Sequence, residues 1–513
     1  VIGYKAPGRL IGGITLALMI IGWSGACQGQ SSSSVEKEED GSSATIPAPL
    51  PSSTVADQTQ THMLPDPLPT GTETPPSTSK AAMTRYTLIA AYDETNASLN
   101  VDETTIFTNN APITFNRLPL VVEANRFADA FHLGQVSWEP DGMEAKHTLG
   151  GNILWLDLAK PLAPNQQVEI NLSYHLKLPH GVGPLSVGAR QVNFGDWYPF
   201  VPAYLADGWA LDEPGRVGEH LTYPLAAYHV EIRLEHPAED LIVAASTPAS
   251  IEGDRRVFDT TARNFTWSAS RDYRVLEGNQ DGHQVTAYVF PEHVPAGRAA
   301  LETTLASLRL YGELFGSYPH SSLALVESEF PDGMEYDGLY FLGQEYFADY
   351  RGGQANYLTS IAAHETAHQW WGGLVGNDPA RDPWLDESLA TYSELLYYEK
   401  NYPELVDWWW SFRVNRFQPV GEVDQPVYAF TGFRPYVDAV YLRGALFWEA
   451  VRKRIGEQAF FSFLREYVRQ YDGKIASPSA LFSILSKTAP SMDVSDVYAQ
   501  YLRGSYPGES EKR

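Results

Sequence analysis

A single cysteine, Cys27, stands among 513 residues. No disulfide can form within the chain, and its stability has to come from packed cores. Basic residues are also scarce: 37 Lys and Arg face 63 Asp and Glu, a formal net charge of −26. Such a field repels phosphate backbones and anionic lipid, so nucleic acid is not an expected partner. It favours cationic groups, and it equally serves solubility outside the cell. The apolar run Leu10 to Trp23 is shorter than the roughly 20 residues of a typical membrane span. No repeat at solenoid spacing is present, which excludes a repeat architecture.

The amino terminus carries an export signature. Lys5 and Arg9 precede the apolar run, and Ser24-Gly25-Ala26 leads to Cys27. A charged start, a short apolar core and small residues before a cut describe a signal peptide over residues 1–26. Small residues followed by Cys resemble the lipobox of bacterial lipoproteins, although Ser24 sits where Leu is usual. The expectation is an exported protein held at the cell envelope by a lipid on Cys27. An uncleaved anchor and plain secretion stay open. Residues 27–82 are rich in Ser, Thr and Pro and read as a disordered tether.

Beyond the tether the 43% apolar content suffices for sizeable cores, and the length allows about two to four domains. Residues 83–285 read as a β-rich domain. Gln167 to Leu172 and His229 to Leu234 alternate apolar and polar, the period of a half-buried strand. From about Pro295 the pattern turns helical, with Ala299 to Phe315, Phe460 to Tyr471 and Pro478 to Ser486 as helices. Residues 286–513 form the second folded domain.

Its chemistry is concentrated in His364-Glu365-Thr366-Ala367-His368, followed after eighteen residues by Glu387. On a helix, positions i and i+4 share a face, so His364 and His368 can both point a ring nitrogen at one metal ion. Glu365 lies beside them, within reach of a water on that metal. A catalytic zinc usually keeps three protein ligands and one open position, and Glu387 supplies the third. The spacing predicts a helix over Tyr357 to Trp371 that stops at Gly372-Gly373. Asp382-Pro383 then offers a cap and a first-turn proline, and Leu385, Leu389, Tyr392 and Leu396 keep helical spacing.

HExxH, eighteen residues, then Glu within Trp384-Leu385-Asp386-Glu387-Ser388-Leu389-Ala390 resembles the aminopeptidase N and leukotriene hydrolase family of zinc metallopeptidases, the gluzincins. The family usually reads W-L-N-E-G-F-A, so Asp386 and Ser388 depart from it at positions that are not ligands. The resemblance implies further roles. Glu394, seven residues after Glu387, would support the metal site by orienting a histidine. Gly333-Met334-Glu335-Tyr336 looks like the family's G-x-M-E-N segment, which lines the cleft. Its Glu335 would bind the free α-amine of a peptide, with Gly333 and Met334 beside it, and Tyr336 replaces the Asn. Tyr441 in Tyr441-Leu442-Arg443-Gly444-Ala445 resembles the family's oxyanion-stabilising tyrosine. Asp196-Trp197-Tyr198-Pro199 looks like a tryptophan–proline stretch of bacterial relatives. No counterpart is assigned for the upstream glutamate and glutamine that the family uses for specificity.

The resemblance implies an α+β fold. An N-terminal antiparallel β domain would be followed by a mostly helical, thermolysin-like zinc peptidase domain. It implies one Zn²⁺ per chain and cleavage of single residues from peptides with a free amino terminus. The large helical domain that ends many family members is expected to be missing, since little more than about seventy residues follow Tyr441. A zinc endopeptidase or an epoxide-type hydrolase on the same site remains a rival reading. So does a surface-binding lipoprotein with a vestigial site.

Overall fold

The computed structural model describes residues 82–139, 143–235 and 240–504. The export signal, Cys27 and nearly all of the tether lie outside the described residues. No helix among the described residues is long and apolar enough to cross a membrane.

The β-rich part is built on an eight-stranded sheet. Its central strands are Ala226–Glu235, Thr84–Asp93, Ser98–Thr108 and Gln167–Lys177. Every second residue of Thr84–Asp93 faces inward, with Tyr86, Leu88, Ala90 and Tyr92 buried, as a one-sided sheet requires. Neighbours run antiparallel except Thr84–Asp93 and Ala226–Glu235, which pair in parallel with Thr84 opposite Ala226. Both alternating segments singled out from the sequence lie in this sheet. Smaller sheets cover its inner face, including Phe115–Val121 with Ile153–Leu162 and Val192–Phe194 with Trp267–Ser270. One apolar core joins them, with Trp267 stacked on Phe194 at 3.7 Å.

The second part opens with a mixed five-stranded sheet in the order Arg274–Gln280, His283–Val289, Ser322–Ser328, Leu339–Gly343, Gly333–Tyr336. The division at 285/286 expected from the sequence runs through the second of these strands. Helix Val294–Phe315 packs against this sheet. It begins before Ala299 because Pro295, with its fixed φ and missing N–H, suits a first turn. The remaining residues are mostly helical. The fold is thus the expected α+β arrangement, an antiparallel β domain followed by a helical one.

Two details differ from the expectation. The regular helix Tyr357–Ala367 ends before Trp371. Beyond Ala367 the coil tightens into i→i+3 bonds, Gln369 N–H to Thr366 O (3.2 Å) and Trp370 N–H to Ala367 O (2.9 Å), as helix C-termini often do. Gly372 then turns left-handed, φ +105°. At the next helix, Trp384–Asn401, no side chain caps the first turn, and Pro383 occupies the cap position. The Asp382 backbone carbonyl, not its carboxylate, receives Leu385 N–H at 3.1 Å.

Arg263 clasps the two parts together. It is 5% exposed, and its guanidinium donates to the carbonyls of Tyr223 (3.0 Å), Gly373 (2.5 Å), Leu374 (3.2 Å) and Lys474 (2.8 Å). Its backbone N–H donates to the Asp337 carboxylate at 2.9 Å. Gly376 is kept small because a Cβ there would sit 2.6 Å from the guanidinium carbon. Replacing Arg263 by Met strands the carbonyls of Tyr223 and Gly373, whereas those of Leu374 and Lys474 keep the N–H groups of Gly473 and Gly376, each at 2.9 Å. We expect a loss of roughly 3–5 kcal/mol in unfolding free energy, measured by urea denaturation. Arg263→Lys should recover only part, because an ammonium cannot span segments that a planar fork bridges.

Candidate metal centre and active site

Helix Tyr357–Ala367 is buried on nearly every side. Asn356 starts it, its side chain accepting Thr359 N–H at 2.9 Å. His364 and His368 emerge on one face, and Trp384–Asn401 brings Glu387 opposite them. The His364 Nδ1 pairs with Glu394 at 3.1 Å and the His368 Nδ1 with the Trp371 carbonyl at 3.0 Å. A ring whose Nδ1–H is committed offers its Nε2 as a lone pair.

Those Nε2 atoms face each other at 3.1 Å, and a Glu387 oxygen lies 3.2 Å from one and 3.4 Å from the other. Ligands roughly 2.0–2.1 Å from a tetrahedral zinc are spaced by about 3.3 Å, so this triangle fits zinc. Glu335, Glu365 and His368 form a second cluster of potential ligand atoms. It is the poorer site, because the His368 Nδ1 that lies 3.7 Å from Glu335 is already bound to Trp371.

Glu394 does more than touch His364. It is fully buried, receives Trp409 Nε1–H at 3.0 Å, and binds the Arg413 guanidinium at 2.9 Å through each oxygen. Arg413 and the histidine hold its carboxyl below the usual range against burial. Neither Arg413 nor Trp409 was singled out from the sequence, because their distance from the HExxH segment hides the contact.

Glu365 lies under the edge strand Gly333–Tyr336. A Cβ on Gly333 would fall 1.9 Å from its Oε1, so only glycine admits the carboxylate here. Burial, with Glu335 and Glu387 nearby, pushes its carboxyl well up. Met334 and Glu335 line the same cleft. One oxygen each of Glu335 and Glu365 lacks a hydrogen-bond partner among the described residues. Glu219 joins them from the β-rich part, its carboxyl raised first by burial and then by Glu335. Gly218, at φ +72°, carries this loop against Val427 and Tyr436. Glu219 had no motif to mark it.

Tyr441 donates to Glu387 at 2.5 Å and its ring is parallel to that of His364. Burial and the Glu387 charge keep the phenol neutral, well above its ordinary range. It lies in a π-helical segment, Val437–Leu442, and Arg413 lies in another, Trp410–Val414. Such widened turns recur at functional sites. The departure at Ser388 is accommodated by Gly444, where a Cβ would sit 2.3 Å from that of Ser388. Trp448 Nε1–H then donates to the Ser388 hydroxyl at 2.7 Å.

Comparison with known proteins agrees with this geometry. The peptidase family M1 domain matches residues 299–501. The chain is 29% identical over 258 residues to endoplasmic reticulum aminopeptidase 2 of Homo sapiens, covering 46% of this chain and 27% of that protein. It is 25% identical over 248 residues to alanine/arginine aminopeptidase of Saccharomyces cerevisiae, 45% and 29% of the two chains. It thus spans under a third of the length of these curated relatives. An M1 zinc metallopeptidase of Deinococcus radiodurans shares the fold, with a TM-score of 0.57, 19% identity, and coverage of 79% of this chain and 90% of that one. One zinc per chain accords with both the family and the donor set.

Tyr336, which stands where the family has Asn, reaches away from the cleft. Its hydroxyl donates to Asp196 at 3.1 Å, and Tyr223 donates to the other oxygen at 2.7 Å. Asp196 sits at φ +54°, and a Cβ on Gly195 would fall 2.2 Å from the Tyr336 oxygen. Burial pushes the Asp196 carboxyl up to about 6, Glu123 adding to this while the two phenols and His220 oppose it. An acid raised in the folded state contributes stability below its unfolded value, near 3.9, that is lost as pH rises through about 6. Asn tolerates the same backbone and does not titrate. Asp196→Asn should therefore gain stability relative to the unmutated protein between pH 4 and pH 7.5. Urea midpoints across that range measure it, and a pH-independent difference would show that Asp196 carries no buried charge.

Proposed function

We propose that this protein is a zinc-dependent aminopeptidase. The observation that carries the reading is the pairing of the His364–His368–Glu387 triangle with two half-buried carboxylates, Glu335 and Glu219, in one cleft. Bound at the triangle, zinc supplies Lewis acidity that brings water and a peptide carbonyl within reach of reaction at neutral pH. Glu365 takes the proton of the attacking water and returns it to the leaving amine. Tyr441 donates its phenolic hydrogen to the oxyanion that develops on the carbonyl, turning from Glu387 to do so. Glu394, clamped by Arg413, holds the His364 ring in register. Glu335, with Glu219 behind it, accepts the α-ammonium of the substrate, so that one residue is released at a time. Unblocked peptides are the substrates.

Export belongs to the same proposal and rests on Lys5, Arg9, the apolar run and Cys27. A lipid on Cys27 would hold the catalytic part outside the cytoplasm at a membrane.

Two experiments test the catalytic reading. Metal analysis should return about one zinc per chain, lost in His364→Ala and His368→Ala. Glu365→Gln should keep zinc yet lose turnover by roughly 10²–10⁴-fold; full activity in that variant would refute the mechanism. The second is a cycle of free and N-acetylated peptides on the unmutated protein and Glu335→Ala. Losing one partner of a charge-assisted pair costs roughly 2–5 kcal/mol, so acetylation and the mutation should each lower kcat/KM, and their effects should not add. Efficient internal cleavage of acetylated peptides would favour the endopeptidase alternative.

A further inference from the structure

The cleft has a second end, whose chemistry differs from the first. If the amine sits at Glu335 and the reacting carbonyl at Glu365, against Gly333, the substrate runs opposite in sense to the edge strand. That strand is hydrogen-bonded on one side to Leu339–Gly343 and ends its sheet, and an extended peptide can add along such an edge. Its leaving portion then passes Asp332. Asp332 accepts the Tyr346 hydroxyl at 2.6 Å, and the Tyr346 ring lies 6.3 Å from that of Tyr357. Tyr357 also lines the cleft, and its hydroxyl receives a hydrogen bond from Arg416.

Arg416 is the unusual group here. It stands just outside the residues that line the cleft and is joined to them through Tyr357, and the neighbouring cations are neutralised: Arg413 by Glu394, and Arg434 by Asp438. Arg416 is exposed and has no ion-pair partner among the described residues. Its guanidinium lies over Phe412 at 3.9 Å and Phe417 at 4.5 Å. Stacking holds the planar group by its face and leaves N–H donors on its edge. A planar fork of donors of that kind matches a carboxylate.

We propose that Arg416 binds the C-terminal carboxylate of short peptides, so that the protein recognises its substrate at both ends. The inference rests on the aminopeptidase reading and adds a preferred substrate class to it. Tyr357 precedes Glu365 by eight helical positions, roughly 12 Å along the axis. An extended chain covers that in about three residues beyond the cleaved bond. The favoured substrate is then a peptide of about four residues with a free carboxylate.

The test compares kcat/KM for one tetrapeptide with a free C-terminal carboxylate and the same peptide as its C-terminal amide. An aminoacyl p-nitroanilide reports the amine end alone. The unmutated zinc-loaded protein should favour the free acid by roughly 10- to 100-fold, mainly through KM. Arg416→Gln should bring that ratio to about one, and Arg416→Lys should keep part of it, with unchanged thermal midpoints showing that both variants fold. Equal rates on acid and amide in the unmutated protein, or an undiminished ratio in Arg416→Gln, would overturn the assignment. If the anilide is cleaved while acid and amide behave alike, only the role of Arg416 falls. If the anilide is not cleaved either, the aminopeptidase reading falls and takes this inference with it.

Discussion

Two imidazole nitrogens face each other at 3.1 Å inside a protein whose cleft is lined by carboxylates. With both Nδ1 atoms committed elsewhere, the two Nε2 lone pairs and the Glu387 oxygen repel one another unless a cation lies between them. This is the condition on which the rest of the structure depends. The Asn356 cap, the left-handed Gly372 and the Arg413–Glu394 clamp all hold donors that electrostatics alone would drive apart. Packing on almost every side of helix Tyr357–Ala367 supplies the rigidity.

The β-rich part is more than a support for this centre. Glu219 and the Gly195–Asp196 cradle both come from it, one facing the cleft and the other holding the back of the edge strand through Tyr336. Arg263 fixes the same part to the turns just after the histidine helix. The acidic end of the cleft is therefore assembled from both parts, and its geometry depends on how firmly they are joined.

Legibility in the sequence followed the range of the interactions. The strands with strict alternation and the helices with clear spacing were readable because each pattern is local. So was the convergence of His364 and His368, since HExxH places two donors by helical geometry alone. The early end of the histidine helix was not, because the switch to i→i+3 bonding at Gln369 leaves no compositional mark. Asp382 looked like a cap, yet the chain uses its carbonyl instead. Glu219, Arg413 and the link of Asp196 to Tyr336 stayed hidden for a different reason. Each acts across a separation of many residues, on a partner that only the folded chain brings near. Gly444 shows the same limit, since its smallness is explained only by Ser388 on another helix.

The two π-helical segments, Trp410–Val414 and Val437–Leu442, give the cleft an uncommon kind of vulnerability. A π turn holds one residue more than the α turn it interrupts, and each residue of a helix turns the chain by about 100°. Excising a single residue from either segment would swing the adjoining face by that angle while leaving the composition nearly untouched. At these two places chain length, as much as side-chain identity, sets which groups meet the metal, and drift by insertion or deletion would be harsher there than drift by substitution.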